Sequence, residues 1–164
     1  MREPDVSADR ASWEEKVRGA QCPLCAPRPE TAPQWDFVAK LSISSLYLAR
    51  SQTYRGQCLL IFDPRHAARP DQLAPVEWTQ LSADLYAAAN AVVRAVRADH
   101  VNVESLGNVV PHLHWHVIPR FVGDARWGAP IWTSDLAEMK ELELEPRDRA
   151  ELVASLREAL ARGD

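Results

Sequence analysis

Three of the five histidines in this 164-residue chain fall within five positions, as His112-Leu113-His114-Trp115-His116. A stretch of this composition reads as a strand. Side chains on a strand alternate between faces, so the three imidazoles share one surface at intervals of about 6.7 Å while Leu113, Trp115 and Val117 turn toward an apolar interior. An imidazole with a free electron pair near neutral pH has two uses on such a surface: it ligates metals, and it attacks electrophilic phosphorus. A single ion cannot take all three rings, because the outer pair stands about 13 Å apart along an extended strand while metal–nitrogen bonds are about 2 Å. Two chemistries stay open on these grounds. One has an imidazole of this strand as a covalent nucleophile; the other has His114 and His116 as neighbouring ligands of a metal-dependent enzyme.

The cysteines form a second group. Cys22-Pro23-Leu24-Cys25 has a spacing that suits metal chelation or redox chemistry, and an odd total of three argues against a secreted disulfide framework. Taken alone, the pair does not decide between a metal site and a reactive dithiol. Cys58 sits in the run Gln57-Cys58-Leu59-Leu60-Ile61-Phe62 and is expected to be a buried thiol acting as a small hydrophobe.

These residues need a scaffold to position them. Ser7 or Asp9 reads as the cap of a short helix through Trp13, Glu14 and Val17, ended by Gly19 just before the cysteine pair. The proline-dense stretch from Cys22 to Pro33 reads as a knuckle and loop. Strands are expected at 35–40, 43–49 and 57–62, the first two close enough for a hairpin, with Asp63-Pro64-Arg65-His66 interrupting the last apolar run. From Pro75 to about Asp99 the apolar positions Leu81, Leu85, Ala88, Val92 and Val96 recur at three- and four-residue steps, the signature of an amphipathic helix. Strand character returns at 101–106 and 113–119, and Gly107-Asn108 between them predicts an antiparallel pair. The segment from Gly123 to Trp132 has no periodicity; its two tryptophans and Arg126 are expected to pack against the sheet, with closure over a base as the other use. Pro146 opens a last amphipathic helix through Leu152, Leu156 and Leu160, which Gly163 closes.

Strands, one long helix, more strands and a terminal helix lack the regular alternation of a doubly wound parallel sheet. The fold class expected is therefore α+β: an antiparallel sheet of about five strands with one long helix and terminal helices. The chain length fits one substantial core. Its divisions are an N-terminal helical extension over 1–21, the main domain over 22–132, and a C-terminal segment over 133–164 whose amphipathic helix packs on the same domain. A net charge of -4 offers no general attraction to nucleic acid polymers or acidic lipid. No apolar run is long enough to span a bilayer, and the N-terminal residues do not read as a secretion signal, so a cytoplasmic location is expected, with no membrane partner.

The segment Gly107-Asn108-Val109-Val110-Pro111-His112-Leu113-His114-Trp115-His116-Val117-Ile118-Pro119-Arg120 resembles the signature of the histidine triad (HIT) family, His-φ-His-φ-His-φ-φ followed by Pro-Arg. The resemblance extends over about residues 22 to 120: a Cys-x-x-Cys knuckle, hairpin strands, a Pro-Arg-His step, a long helix and an asparagine-bearing strand recur in the same order. It implies a HIT-like sheet and a nucleotide hydrolase that cleaves a phosphoanhydride or phosphoramidate bond at the α-phosphorus through a covalent nucleotidyl-histidine. His114 would be the nucleophile, and His116 would contact the phosphate and assist the leaving group. A histidine there, where transferase members carry glutamine, resembles the hydrolase branches. Asn102, Asn108 and Arg120 would join His116 in substrate binding. In zinc-containing branches the cysteine pair is completed by two histidines that match His66 and His112, so Cys22, Cys25, His66 and His112 would hold a structural zinc. A homodimer and a small nucleotide substrate are also implied.

One departure bears on specificity. Many nucleotide-binding members hold the ribose hydroxyls with a carboxylate where this chain reads Leu48-Ala49-Arg50-Ser51. The remaining alternatives are a nucleotidyl transferase or phosphorylase of the same family, the metal-dependent enzyme above, and a non-catalytic nucleotide-binding adaptor.

Overall fold

A computed structural model describes residues 10–50, 52–133 and 142–163; Ser7 and Asp9, read as helix caps, lie outside them. Helix α1, Arg10–Val17, precedes the cysteine knuckle. Strands β1, Thr31–Ala32, β2, Trp35–Lys40, β3, Ser44–Ala49, and β4, Cys58–Phe62, follow. Then come the long helix α2, Pro75–Val96, strands β5, His100–Glu104, and β6, His114–Arg120, and helix α3, Pro146–Ala161. The sheet is antiparallel throughout with strand order β1-β2-β3-β4-β6-β5. It therefore has six strands where about five were expected, the extra one being the two-residue β1, which is too short to carry an alternation pattern.

Hydrophobic alternation sorts the sheet into two faces. Leu46, Leu48, Cys58, Leu60, Phe62, Trp115 and Val117 point to one side, where Leu81, Ala88 and Val92 of α2 and Leu152 and Leu156 of α3 complete the main core. Cys58 is fully buried among them, as expected for a small apolar thiol. On the opposite face Trp35, Tyr47 and Ile61 pack with Leu24 of the knuckle. Leu59 and Ile61 stand directly opposite His116 and His114 across the β4–β6 ladder, so the imidazoles belong to this second face.

Two local features set the position of α2. Its first residue is Pro75, and the Glu77 carboxylate accepts a hydrogen bond from the Ala74 amide (2.8 Å) while pairing with Arg65 (2.7 Å). On its inward side the Asp84 carboxylate is buried and accepts from the Ser42 amide and hydroxyl, the Ile43 amide and the Ser44 hydroxyl, at 2.6–3.1 Å. These bonds satisfy a charge that would otherwise be costly to bury and pin the helix to the β2–β3 turn. The helix ends at Val96 rather than Asp99 because Arg97 adopts a left-handed conformation (φ 54°).

Candidate active site and metal centre

Strand β6 begins at His114, so His112, expected within the strand, lies in the turn that enters it. The reason is local pairing: the Leu113 amide donates to the Ala67 carbonyl (2.7 Å), and the Leu113 carbonyl accepts from the Phe62 amide (3.0 Å), which holds residues 112 and 113 against the end of β4. His112 is consequently buried and separated from the other two rings in both environment and partners. The three imidazoles divide into a pair and a single ring.

The pair is His114 and His116, whose rings meet edge to face with centroids 5.3 Å apart. Nδ1 of His114 lies 2.6 Å from the His112 carbonyl oxygen. A carbonyl can only accept, so the proton resides on Nδ1 and the electron pair on Nε2. Burial lowers the affinity of His114 for a second proton, partly opposed by that hydrogen bond. His116 is pushed down to about 4 by burial and by the adjacent His114, and its buried Nδ1 has no partner among the described residues. Both rings are thus neutral at pH 7, one carrying a directed lone pair and the other an enclosed Nδ1 that makes no hydrogen bond.

His112 belongs instead with the knuckle. Its Nδ1 lies 3.5 Å from Cys22 Sγ and 3.4 Å from Cys25 Sγ, and Cys25 Sγ is 3.4 Å from His66 Nδ1. All four donor atoms fall within 4.8 Å of one another. Around a tetrahedral zinc the sulfur–nitrogen edge is about 3.5 Å, given bonds of about 2.3 Å to sulfur and 2.0 Å to nitrogen, so the residues fit that ion. The outer nitrogens agree: His112 Nε2 donates to the Phe62 carbonyl (2.7 Å) and His66 Nε2 to the Val17 carbonyl (3.0 Å), which leaves both Nδ1 lone pairs facing the thiols. Arg28 fastens the knuckle further, donating to the Leu24 carbonyl, pairing with Asp63 and reaching the Tyr47 hydroxyl (3.0 Å).

The residues expected to bind substrate separate into different environments. Asn102, on β5, turns its Oδ1 to Arg120 (2.6 Å), and this fixes its amide NH2 on the other side. Asn108 is exposed in the loop between β5 and β6, with no hydrogen bond to either histidine. Arg120, expected on the phosphates, is buried, and its five N–H groups are all engaged: by both oxygens of Asp124, by Asn102, and by the carbonyls of Ala129 and Arg126. No donor is left for a phosphate. The guanidinium acts instead as a clip that holds residues 124–129 on the sheet, assisted by the Tyr54 hydroxyl, which donates to Asp124 (3.1 Å).

One group beside the histidine pair, Glu104, was not singled out by the sequence reading. Glu104 stands opposite His116 on β5, and its carboxylate accepts from the Trp132 indole N–H. The Trp132 ring in turn meets the His116 ring edge to face, with centroids 5.1 Å apart. The segment carrying the two tryptophans therefore packs on the sheet, as expected, and does so against a catalytic candidate. Glu104 could have been found from its parity with Asn102 on one face of β5, had the cross-strand register with His116 been known.

Comparison with known proteins agrees with this fold. The HIT domain family model matches residues 36–123. A histidine triad protein of Bradyrhizobium japonicum superposes with a TM-score of 0.71 at 25% identity, covering 84% of this chain and 99% of that one. One from Marinobacter aquaeolei gives 0.68 at 22%, covering 79% and 90%. A zinc-bound histidine triad family protein of Mycobacterium smegmatis gives 0.56 at 23%, covering 89% of both. A search of curated proteins finds no match. With the family model spanning more than half its length and the histidine pair seated on the matching sheet, this chain belongs to the histidine triad family, a superfamily of nucleotide-binding hydrolases and transferases.

Proposed function

We propose that the protein is a nucleotide hydrolase acting at an α-phosphorus, with His114 as covalent nucleophile, His116 beside the leaving group, and Asn102 and Asn108 as donors to the substrate. The observation that carries this reading is the 2.6 Å hydrogen bond from His114 Nδ1 to the His112 carbonyl, which directs the lone pair of a neutral ring outward from Nε2. In the first step Nε2 bonds to phosphorus while the bond from phosphorus to the leaving oxygen or nitrogen breaks. The leaving group departs with the bonding pair, and an amine takes up a proton from solvent. In the second step a water oxygen bonds to phosphorus, the phosphorus–nitrogen bond breaks, its pair returns to Nε2, and a proton passes to solvent. The products are a nucleoside monophosphate and the free leaving group. The His116 ring, 5.3 Å from that of His114, stands beside the position where that charge develops.

Cys22, Cys25, His66 and His112 would hold a structural zinc, since four protein ligands leave no open position for substrate. His114 and His116 gather no third ligand among the described residues, which favours the nucleophile over a catalytic metal at that pair. The family reading also carries a homodimer, testable by sedimentation, with α2 and a sheet edge at the interface. Among the described residues no helix is long and apolar enough to cross a membrane.

The test is intact-mass spectrometry of acid-quenched reactions with adenosine phosphoramidates and dinucleoside polyphosphates. The expected result is a nucleotidyl adduct on the wild-type protein, with no adduct and at least a thousandfold lower turnover in His114→Ala at unchanged zinc content and unfolding midpoint. Undiminished turnover in that variant would overturn the assignment.

A further inference from the structure

The fold gives the two sulfurs of the knuckle unequal surroundings. Cys22 is half buried and lines a cavity between α1 and the loop that precedes β6. Cys25 is exposed and lines a separate cavity of about 330 Å³, whose walls carry Arg28, Asp63 and Arg65. The third thiol, Cys58, is fully buried in the main core. Of the three sulfurs, that of Cys25 is therefore the one open to a reagent of small-molecule size.

The turn between the two cysteines is ready to close. The Cys25 amide donates to the Cys22 carbonyl (3.2 Å), the hydrogen bond of a β-turn, which brings the two Cα atoms within about 7 Å. A disulfide spans about 4.4–6.8 Å between Cα atoms, so the turn already has the required reach. The two sulfurs themselves lie within 4.8 Å of each other, and joining them asks for side-chain rotation while the sheet stays in place. Charge selects the reagent. Arg28 and Lys40 share the Asp63 carboxylate, two cations on one anion, while Arg65 pairs with Glu77. The surplus around this cavity is one positive charge, which draws a carboxylate-bearing reagent and repels an ammonium-bearing one.

We propose that Cys25 is a thiol–disulfide exchange site for a small anionic disulfide, with Cys22 as the resolving sulfur, and that the exchange reduces the cluster from four metal donors to two. The change in donors rests on the metal reading of the cluster; the exchange itself does not. A thiol that serves as a metal ligand is held as the thiolate, which is also the nucleophilic form. In the first step Cys25 Sγ bonds to one sulfur of the reagent, the reagent's sulfur–sulfur bond breaks, and one thiolate departs with the bonding pair. In the second step Cys22 Sγ bonds to Cys25 Sγ, the mixed disulfide breaks, and the second thiolate departs. The two-electron oxidation of the cysteines is matched by reduction of one disulfide to two thiolates. His66 and His112 then remain as two donors, too few for a closed tetrahedral site. The exchange reaches the histidine pair through His112, whose carbonyl is the acceptor for His114 Nδ1.

The experiment treats the zinc-loaded protein with three disulfides: oxidised glutathione, which is anionic, 2-hydroxyethyl disulfide, which is neutral, and cystamine, which is cationic. Zinc release is followed with a chromophoric chelator and the protein by intact mass after acid quench. Each rate is divided by that of the same cysteines in urea, which removes the intrinsic reactivity of the reagent. Oxidised glutathione is expected to remove two hydrogens and one zinc per chain, at a normalised rate at least fivefold above the neutral disulfide and further above cystamine. Dithiothreitol followed by zinc should restore the starting mass and metal content. Cys22→Ser should stop at one glutathionyl adduct on Cys25, and Cys25→Ser should give none on Cys22 over the same time. Because both variants remove a metal donor, Arg65→Gln supplies the test with all four donors intact: the advantage of oxidised glutathione over the neutral disulfide should shrink by about threefold. Equal normalised rates for the three reagents would overturn the charged cavity as the site. An adduct on Cys22 in Cys25→Ser at an undiminished rate would overturn Cys25 as the attacking sulfur, and an oxidised knuckle that keeps its zinc would overturn the loss of donors. A chain that takes up no zinc would overturn the metal reading instead, and the mass shifts would still decide the exchange.

Discussion

His114 and His116 have the same side chain and adjacent places on one strand face, yet their surroundings give them different work. A backbone carbonyl commits Nδ1 of His114 to donating, whereas Nδ1 of His116 is buried without a partner. The second arrangement has a measurable cost in acid. His116 titrates near 4 in the fold and near 6.5 when unfolded, so between these values the unfolded chain binds a proton that the folded one does not. Stability from this group is complete above about pH 6.5 and falls away toward pH 4, by at most about 3 kcal/mol. Denaturant midpoints of wild type and His116→Gln should therefore draw together, or cross, as pH falls from 7.5 to 4.5. Protonation of the cysteine–histidine cluster affects both proteins and cancels in the difference, so parallel curves would remove His116 as the source. At this scale the sequence identified the histidines and cysteines because their spacing alone restricts the chemistry. It misplaced Arg120, whose five acceptors come from side chains and carbonyls that only the folded loop assembles.

Long elements were legible and short or irregular ones were not, for a physical reason. Helix α2 and the strands β2, β3, β4 and β6 bury apolar stripes or runs, so their pattern is written in residues such as Leu81, Ala88 and Val92 of the helix. The loop from Phe121 to Ile131 is held by polar bonds at its own carbonyls and by one buried ion pair, and this leaves no period in the sequence. Two predictions concern such connecting segments. Asp124→Ala strips the carboxylate from a guanidinium that is 3% exposed, and unfolding stability should fall by about 3 kcal/mol. Unchanged stability would show that the remaining carbonyls suffice. Gly19, just past α1, has φ +87°, and a Cβ there would lie 2.9 Å from Cγ of the His66 ring. Gly19→Ala is therefore expected to push that ring off the Cys25 thiol and weaken zinc binding by about tenfold or more, read by competition with a chromophoric chelator. Unchanged affinity would mean that His66 is not a ligand.

Across the whole molecule the cysteine–histidine cluster and the histidine pair are two readouts of one backbone turn. His112 contributes its ring to the cluster, and its carbonyl holds the proton of His114. The cluster draws its ligands from the knuckle, the end of β4 and the entry to β6, parts of the chain separated by 41 to 90 residues. The main core between the sheet and the helices α2 and α3 contains no residue of the knuckle. Releasing the ion should thus loosen residues 19–28 and 110–114 while the helices persist, because the hydrophobic stabilisation on the helix side does not depend on it. Under chelation, hydrogen exchange at the Leu113 amide is expected to accelerate by at least tenfold against little change in the middle of α2. Turnover should drop in step, with KM less affected than kcat, since the nucleophile is misdirected while Asn102 on β5 keeps its place. Added zinc should restore both. If exchange at Leu113 stays slow when the ion is gone, the turn is held by its bonds to Ala67 and Phe62 alone, and the cluster has no part in aiming His114.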